Sequence, residues 1–411
     1  DQFHTGLLAG DEAIPDVAAL AEQVLADQPD DVRSASILYY GEMLSAMFIG
    51  DPQMMQDGLA RLEEHANVHP GDVQTGQMLA TTLSRFNRAE EAVEHIETLL
   101  EYDPLNPSLH YDLSTIYRDL EQWSDVRAAA QRSLELEPMQ PNAETAIAWS
   151  YREEGDGVGF LRHYLRAMEI DPKDHELPAH IAEFLYDLDM PDLANEYRGR
   201  VLAIAPSSPP AYLLNILHLR ETGDVVAALD AARKAIDDDI QNRNEAYEEA
   251  VEHIVDDAIE HGTTDEALEY LAAAVPGFGD ISANVDIRYK VANFEAMPLW
   301  FAVLPRDEAM HRFDALMDFA RGFGFDPDED PYIIAVRSIA GGDSETAVKT
   351  VIDELLGESI AASPRITDVL KDPAIAVISD DPRIVEAVER VASEREGLQA
   401  DIREFFASRS T

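Results

Sequence analysis

Residues able to do chemistry are plentiful in this chain, but few stand at a spacing that chemistry needs. His65 and His69 lie four apart beside Glu63 and Glu64, the spacing of two ligands on one helical turn. The helix end before Pro70 is an equally ordinary surface setting for them. Asp326, Asp328 and Asp330 imitate the opening of a calcium loop. Its sixth position needs glycine and holds Pro331, and its twelfth needs glutamate and holds Arg337, which excludes a loop of that class. Gly155, Gly157 and Gly159 form G-x-G-x-G with no strand before them, so a loose turn is expected there rather than a phosphate cradle. G-x-S-x-G, H-E-x-x-H and G-x-x-x-x-G-K do not occur. The chain has no cysteine, which excludes disulfides, zinc–thiolate sites and cysteine nucleophiles. No catalytic residue, metal or cofactor is expected. One arrangement is periodic: Arg118, Arg152, Tyr186 and Arg220 follow in steps of 34, and each is trailed by an acid, Asp119, Glu153, Asp187 and Glu221. Guanidinium groups held at a fixed spacing can take a partner's carboxylates.

The elements that position this series repeat with it. Pro70, Pro104, Pro138, Pro172 and Pro206 are each 34 residues apart, in contexts such as EYDPLN, ELEPMQ and EIDPKD. Each proline is expected to stop a helix, since it lacks an amide proton and clashes with the preceding turn. Five regular repeats result, 73–106, 107–140, 141–174, 175–208 and 209–242. Turns within them are expected at Asn87, Glu121, Gly155, Asp189 and Gly223. Before them, 1–72 reads as divergent helical repeats, with amphipathic patterning over 12–27 and helices over 33–48 and from Asp51 to about Ala66. After them come a further pair (243–276), a break at PGFGDIS, helices near 284–292, 296–304 and 307–322, a pair over 331–356, and a capping tail.

A 34-residue helix–turn–helix period resembles the tetratricopeptide repeat (TPR). The small eighth position of that repeat is matched by Ala80, Ser114, Ala148 and Ala182, with Ile216 the exception. The twentieth is Ala92, Val126, Phe160, Ala194 and Ala228. The resemblance implies an all-α, right-handed superhelix (an α-solenoid) of about ten antiparallel helix pairs, roughly six near TPR form, with a divergent helical C-terminal part. It also implies a concave face that binds peptides, lined here by Arg85, Tyr111, Thr115, Arg118, Trp149, Arg152, Tyr186 and Arg220. The alternative for the charges is a ladder of Arg–acid pairs between neighbouring repeats. Position 5, where the chaperone-binding carboxylate clamp carries lysine, holds Gln77, Tyr111, Thr145, Ala179 and Leu213, which argues against such a clamp. The tail motif Asp381-Pro382-Arg383 is similar to the ends of TPR regions in CadC-like, membrane-anchored bacterial regulators and TPR-bearing adenylate cyclases. That resemblance implies an extracytoplasmic sensory region.

Charge limits the partners. Asp and Glu number 81 against 31 Lys and Arg, a net charge of −50. This repels phosphate backbones and anionic lipid and suits a saline setting that screens self-repulsion. No run of about 18 apolar residues occurs, so membrane insertion is not expected. The chain begins without an initiator Met or a leader, as a mature or excised fragment would, and any anchor would precede Asp1. The expected function is a non-catalytic protein-interaction scaffold holding a peptide segment or partner helix. The sensory region of an anchored regulator is the first alternative. An enzyme with a site in 276–330, lined by Trp300, Phe301, His311, Arg312 and Phe313, is the second. A periplasmic location is expected, with the cytoplasm as the alternative.

Overall fold

The computed structural model describes residues 10–49, 52–86, 88–242, 247–280, 292–321, 326–363 and 365–409, and every regular element among them is helical. Helices Gly10–Asp27, Val32–Ile49 and Pro52–Val68 precede the regular repeats. The first helices of the five repeats are Val73–Arg85, Pro107–Asp119, Pro141–Glu153, Glu176–Asp187 and Pro209–Glu221. Their second helices are Ala89–Tyr102, Trp123–Leu136, Gly157–Ile170, Pro191–Ile204 and Val225–Asn242. Helices end at Val68, Tyr102, Leu136, Ile170 and Ile204, each two residues before its proline, as the missing amide requires. Asp72, Asn106 and Asp156 cap the helices after them, accepting from the amides of Thr75, Ser108 and Gly159 at 2.8, 3.1 and 2.7 Å.

The intra-repeat turns fall where the period puts them. Glu121, Gly155, Asp189 and Gly223 all have positive φ, 56°, 91°, 54° and 76°, while Asn87 lies outside the described residues. Each admits the tight reversal that brings a second helix back along the first. Only the two glycines do so without a Cβ penalty. The small eighth- and twentieth-position residues are fully buried, as is Phe160. Ile216, the large exception, is also buried, in a cluster that includes the small Ala232 and Ala235.

The chain forms two compact units, Asp1–Ser150 and Tyr151–Thr411. In the first, Leu62, Ile96, Leu99 and Leu109 are large aliphatic residues fully buried in a core shared by successive pairs. First helices also touch the next first helix, Val73–Arg85 against Pro107–Asp119, so their outward sides make one continuous face. In the second unit, Glu176–Asp187 meets Pro209–Glu221 in the same way, followed by helices Tyr247–His261 and Thr264–Ala274. The expected helix near 284–292 falls almost wholly on residues outside the description. Helices Met297–Val303 and Arg306–Arg321 stand where the later two were expected. The pair Pro331–Ala340 and Ser344–Thr350 follows, the latter extended by a π-helical turn, Val351–Leu355.

Past Leu356 the chain has only short 3-10 turns, Ile366–Lys371 and Ala376–Ile378, before a closing helix, Pro382–Arg409. Pro382 opens that helix as expected, and Arg383 ties it to Glu345 at 2.7 Å. The closing helix packs along Gly157–Ile170. Here the expectation of a loose glycine turn is corrected. Gly157 and Gly159 lie in the first helical turn, and a Cβ on Gly157 would stand 2.9 Å from the Phe184 ring and 3.0 Å from Leu398. The glycine is a packing requirement.

Candidate functional site

The first-helix face is the part of each repeat not consumed by core packing, and its polar residues differ between the two units. In Asp1–Ser150, Gln77 donates to Ser108 Oγ at 2.7 Å and to Asp112 Oδ2 at 2.5 Å, lacing one first helix to the next. Ser84 donates to Asp119 in the same sense. Burial pushes the Asp112 carboxyl up to about 6, with the Gln77 hydrogen bond opposing. Tyr111 is partly buried, and burial likewise raises its hydroxyl. Arg118 is half exposed, and its ion contact is with the adjacent Asp119 at 3.8 Å. Trp149 is partly buried on Pro141–Glu153. The Arg85 side chain lies outside what is described.

In Tyr151–Thr411 the same face is in use by the chain itself. Arg152 donates from Nε to the Ala361 carbonyl and from Nη2 to the Ala362 carbonyl, both at 3.0 Å. Its guanidinium also stands 5.8 Å from the Phe160 and Phe184 ring centres. Tyr186 is 3% exposed, with its hydroxyl 3.3 Å from His218 Nδ1. Arg220 reaches Asp256 on the next pair at 3.9 Å, which is the inter-repeat ion pairing weighed as the alternative. Arg365, from the linker after Leu356, enters this set and contacts Asp368, Asp256 and Glu252 at 3.0, 3.2 and 3.9 Å. Burial works against its charge, but the four surrounding acids Asp368, Asp187, Asp256 and Glu252 outweigh that and keep it ionised. Burial raises Asp187 to about 6, and the Arg365 charge opposes the rise.

The period brings Arg152, Tyr186 and Arg220 to this face, but their partners are internal. Sequence reasoning missed Arg365, Glu252 and Asp256. Arg365 sits in an irregular stretch with no periodic neighbour, and its one signal is a scarce cation between two apolar segments.

The remaining chemical candidates are engaged elsewhere. His65 Nε2 is 3.0 Å from the Val32 carbonyl, and its ring abuts Tyr39. Asp328 pairs with Arg321 and Arg337, and Asp330 caps Pro331–Ala340 by accepting from the Ile333 amide. Trp300 and Phe313 are core residues and His311 is exposed, so these three do not line a common pocket. A cleft of about 640 Å³ does lie beside them, between Phe294, Met297, Tyr332, Glu252, Asp256 and Arg365. Its Tyr332 hydroxyl donates to Asp372 at 2.6 Å, and Asp256 is committed to Arg365.

These pairings define an all-α protein of TPR type, with first helices against first helices and second helices packed behind them. No family model matches the chain. No curated protein matches it either. Among solved structures it is similar to MamA from Desulfovibrio magneticus RS-1 (16% identity, 42% of this chain and 96% of that one, TM-score 0.34). It is also similar to PilF of Pseudomonas aeruginosa (12%, 53% and 97%, 0.38) and to the APC/C Cut9–Hcn1 assembly (13%, 72% and 55%, 0.44).

Proposed function

We propose that this chain is a non-catalytic scaffold that holds an extended peptide segment or a partner helix on the first-helix face of Asp1–Ser150, through Tyr111, Arg118 and Trp149. The observation that carries the reading is the contrast within one register. Arg118 is half exposed beside its own neighbour Asp119, whereas Arg152 is spent on the carbonyls of the chain's own linker. An aromatic and a guanidinium on rigid helices present a preorganised surface, which lowers the entropic cost of association. In the cleft beside Phe294, Arg365 is tied to Asp256, Glu252 and Asp368, and Lys371 to Asp368, which favours a scaffold over an enzyme.

The test is a peptide selection on the immobilised full chain, followed by binding of the selected peptides to Arg118→Ala and Tyr111→Ala. A tenfold or greater loss with unchanged melting supports the reading. Undiminished binding contradicts it. An extracytoplasmic setting is part of the proposal and is checked by fractionating the source cells, where recovery from the cytoplasm would count against it.

A further inference from the structure

The linker after Leu356 resembles a ligand in how it is held. Its backbone is read by Arg152 through two consecutive carbonyls, a mode indifferent to side-chain identity and suited to any extended segment. Of its two cations, Lys371 pairs within the linker with Asp368 at 2.8 Å, whereas Arg365, besides Asp368 at 3.0 Å, is read by carboxylates on a first helix, Asp256 at 3.2 Å and Glu252 at 3.9 Å on Tyr247–His261. Arg220 from the preceding repeat flanks the same Asp256. The fit is incomplete: among the described residues, clefts of about 640, 400 and 330 Å³ all border Arg365. Ile360 and Ala361 at the start of the stretch are buried, so the space is confined to the polar part around Arg365.

From this geometry we infer that the first-helix face of Tyr151–Thr411 is a docking surface for an extended, arginine-bearing segment of a partner protein, and that the chain's own stretch around Arg365 occupies it as a competing internal ligand. The inference rests on the scaffold reading but concerns the other unit. Charge complementarity selects the occupant. If Arg365 leaves, the half-exposed Glu252 and the partly buried Asp256 keep Arg220, 3.9 Å from Asp256, as their nearby cation, and a local excess of negative charge remains. That excess favours an incoming segment with a guanidinium of its own. This reverses the polarity expected from the arginine series, which pointed to a partner's carboxylates. A tethered competitor works at high effective concentration, so the face binds partners weakly until the tether is weakened.

The probe is a fluorescein-labelled peptide of the chain's own residues 357–371, GESIAASPRITDVLK, titrated by anisotropy into the full wild-type chain and into full-length Arg365→Ala. Arg365→Ala is expected to bind at least tenfold more tightly than wild type. That binding should vanish for a peptide with alanine in place of its arginine, and again when Asp256→Asn is added to the chain. Equal binding to both chains, or none to either, overturns the inference. So does an Arg365→Ala chain that no longer folds, since a displaceable segment cannot be indispensable to the fold. The peptides selected for the Arg118 face report on the other unit, so either reading can fail alone.

Discussion

Arg118 and Arg152 stand at one position of consecutive repeats, on first helices of equal length, each followed by an acid. One is half exposed with a loose contact to its neighbour, while the other donates two 3.0 Å hydrogen bonds to carbonyls more than 200 residues further along. Their repeats do not account for the difference. It comes from what the non-repeating end of the chain does, because the linker and closing helix return to the later repeats and use their polar face. Repeat phase thus decides where a side chain points, and sequence far outside the repeat decides whether it is available.

The largest expected effect tests whether the two faces share one physical cost. Burial raises Asp112, in the first unit, and Asp187, in the second, from 3.8 to about 6. The folded state then holds each proton more tightly than the unfolded chain. Stability gained this way is complete below pH 3.8 and is lost as pH rises through 6, roughly 3 kcal/mol for each group. Urea midpoints should therefore climb between pH 7 and pH 4.5, and Asp112→Asn should flatten that climb. A midpoint that falls over this range contradicts the burial of these groups.

Next in size is the pair of arginines themselves. Arg152→Ala leaves two carbonyls without their donors and should cost about 2–3 kcal/mol in urea unfolding. Arg118→Ala should stay within about 0.5 kcal/mol, as a surface substitution does. Equal costs would dissolve the contrast. Gly157→Ala sharpens it from the packing side, because the added Cβ meets the Phe184 ring and Leu398 at 2.9 and 3.0 Å. A loss of about 1–3 kcal/mol is expected, read as a lower melting temperature.

The smallest effect is a gain. Glu121→Gly should stabilise by about 0.5–1 kcal/mol, since its positive φ is one that glycine adopts freely, and Asp189→Gly by less, because it also removes the carboxylate that Arg395 contacts at 2.6 Å. Gly155 and Gly223, at the same phase, already have that advantage.

Most of the repeat architecture was legible because it is local and periodic. The prolines stop the helices, the small residues mark where helices cross, and the turn residues recur at one phase. Much of the candidate site was legible only as position. The repeat period puts Arg152, Tyr186 and Arg220 on one face, but Arg152 is taken by a linker 209 residues further along with no periodic signal, while Tyr186 meets His218 and Arg220 meets Asp256. The need for Gly157 has a similar source, since a Cβ there would meet Phe184 and the distant Leu398, whereas at Gly159 it would meet the local Asp156 and Tyr151. The arginine partners of Asp328 are visible only in three dimensions.

The central claim is that the stretch around Arg365 is docked on the first-helix face of the later unit in the free protein. Hydrogen–deuterium exchange of the full chain, with peptides covering residues 357–371, tests this most directly. The account predicts slow exchange at the amides of Ala362, Ser363 and Asp368, lost in Arg152→Ala. Exchange at the rate of an unstructured loop in the wild-type chain, or protection unchanged by Arg152→Ala, would contradict it.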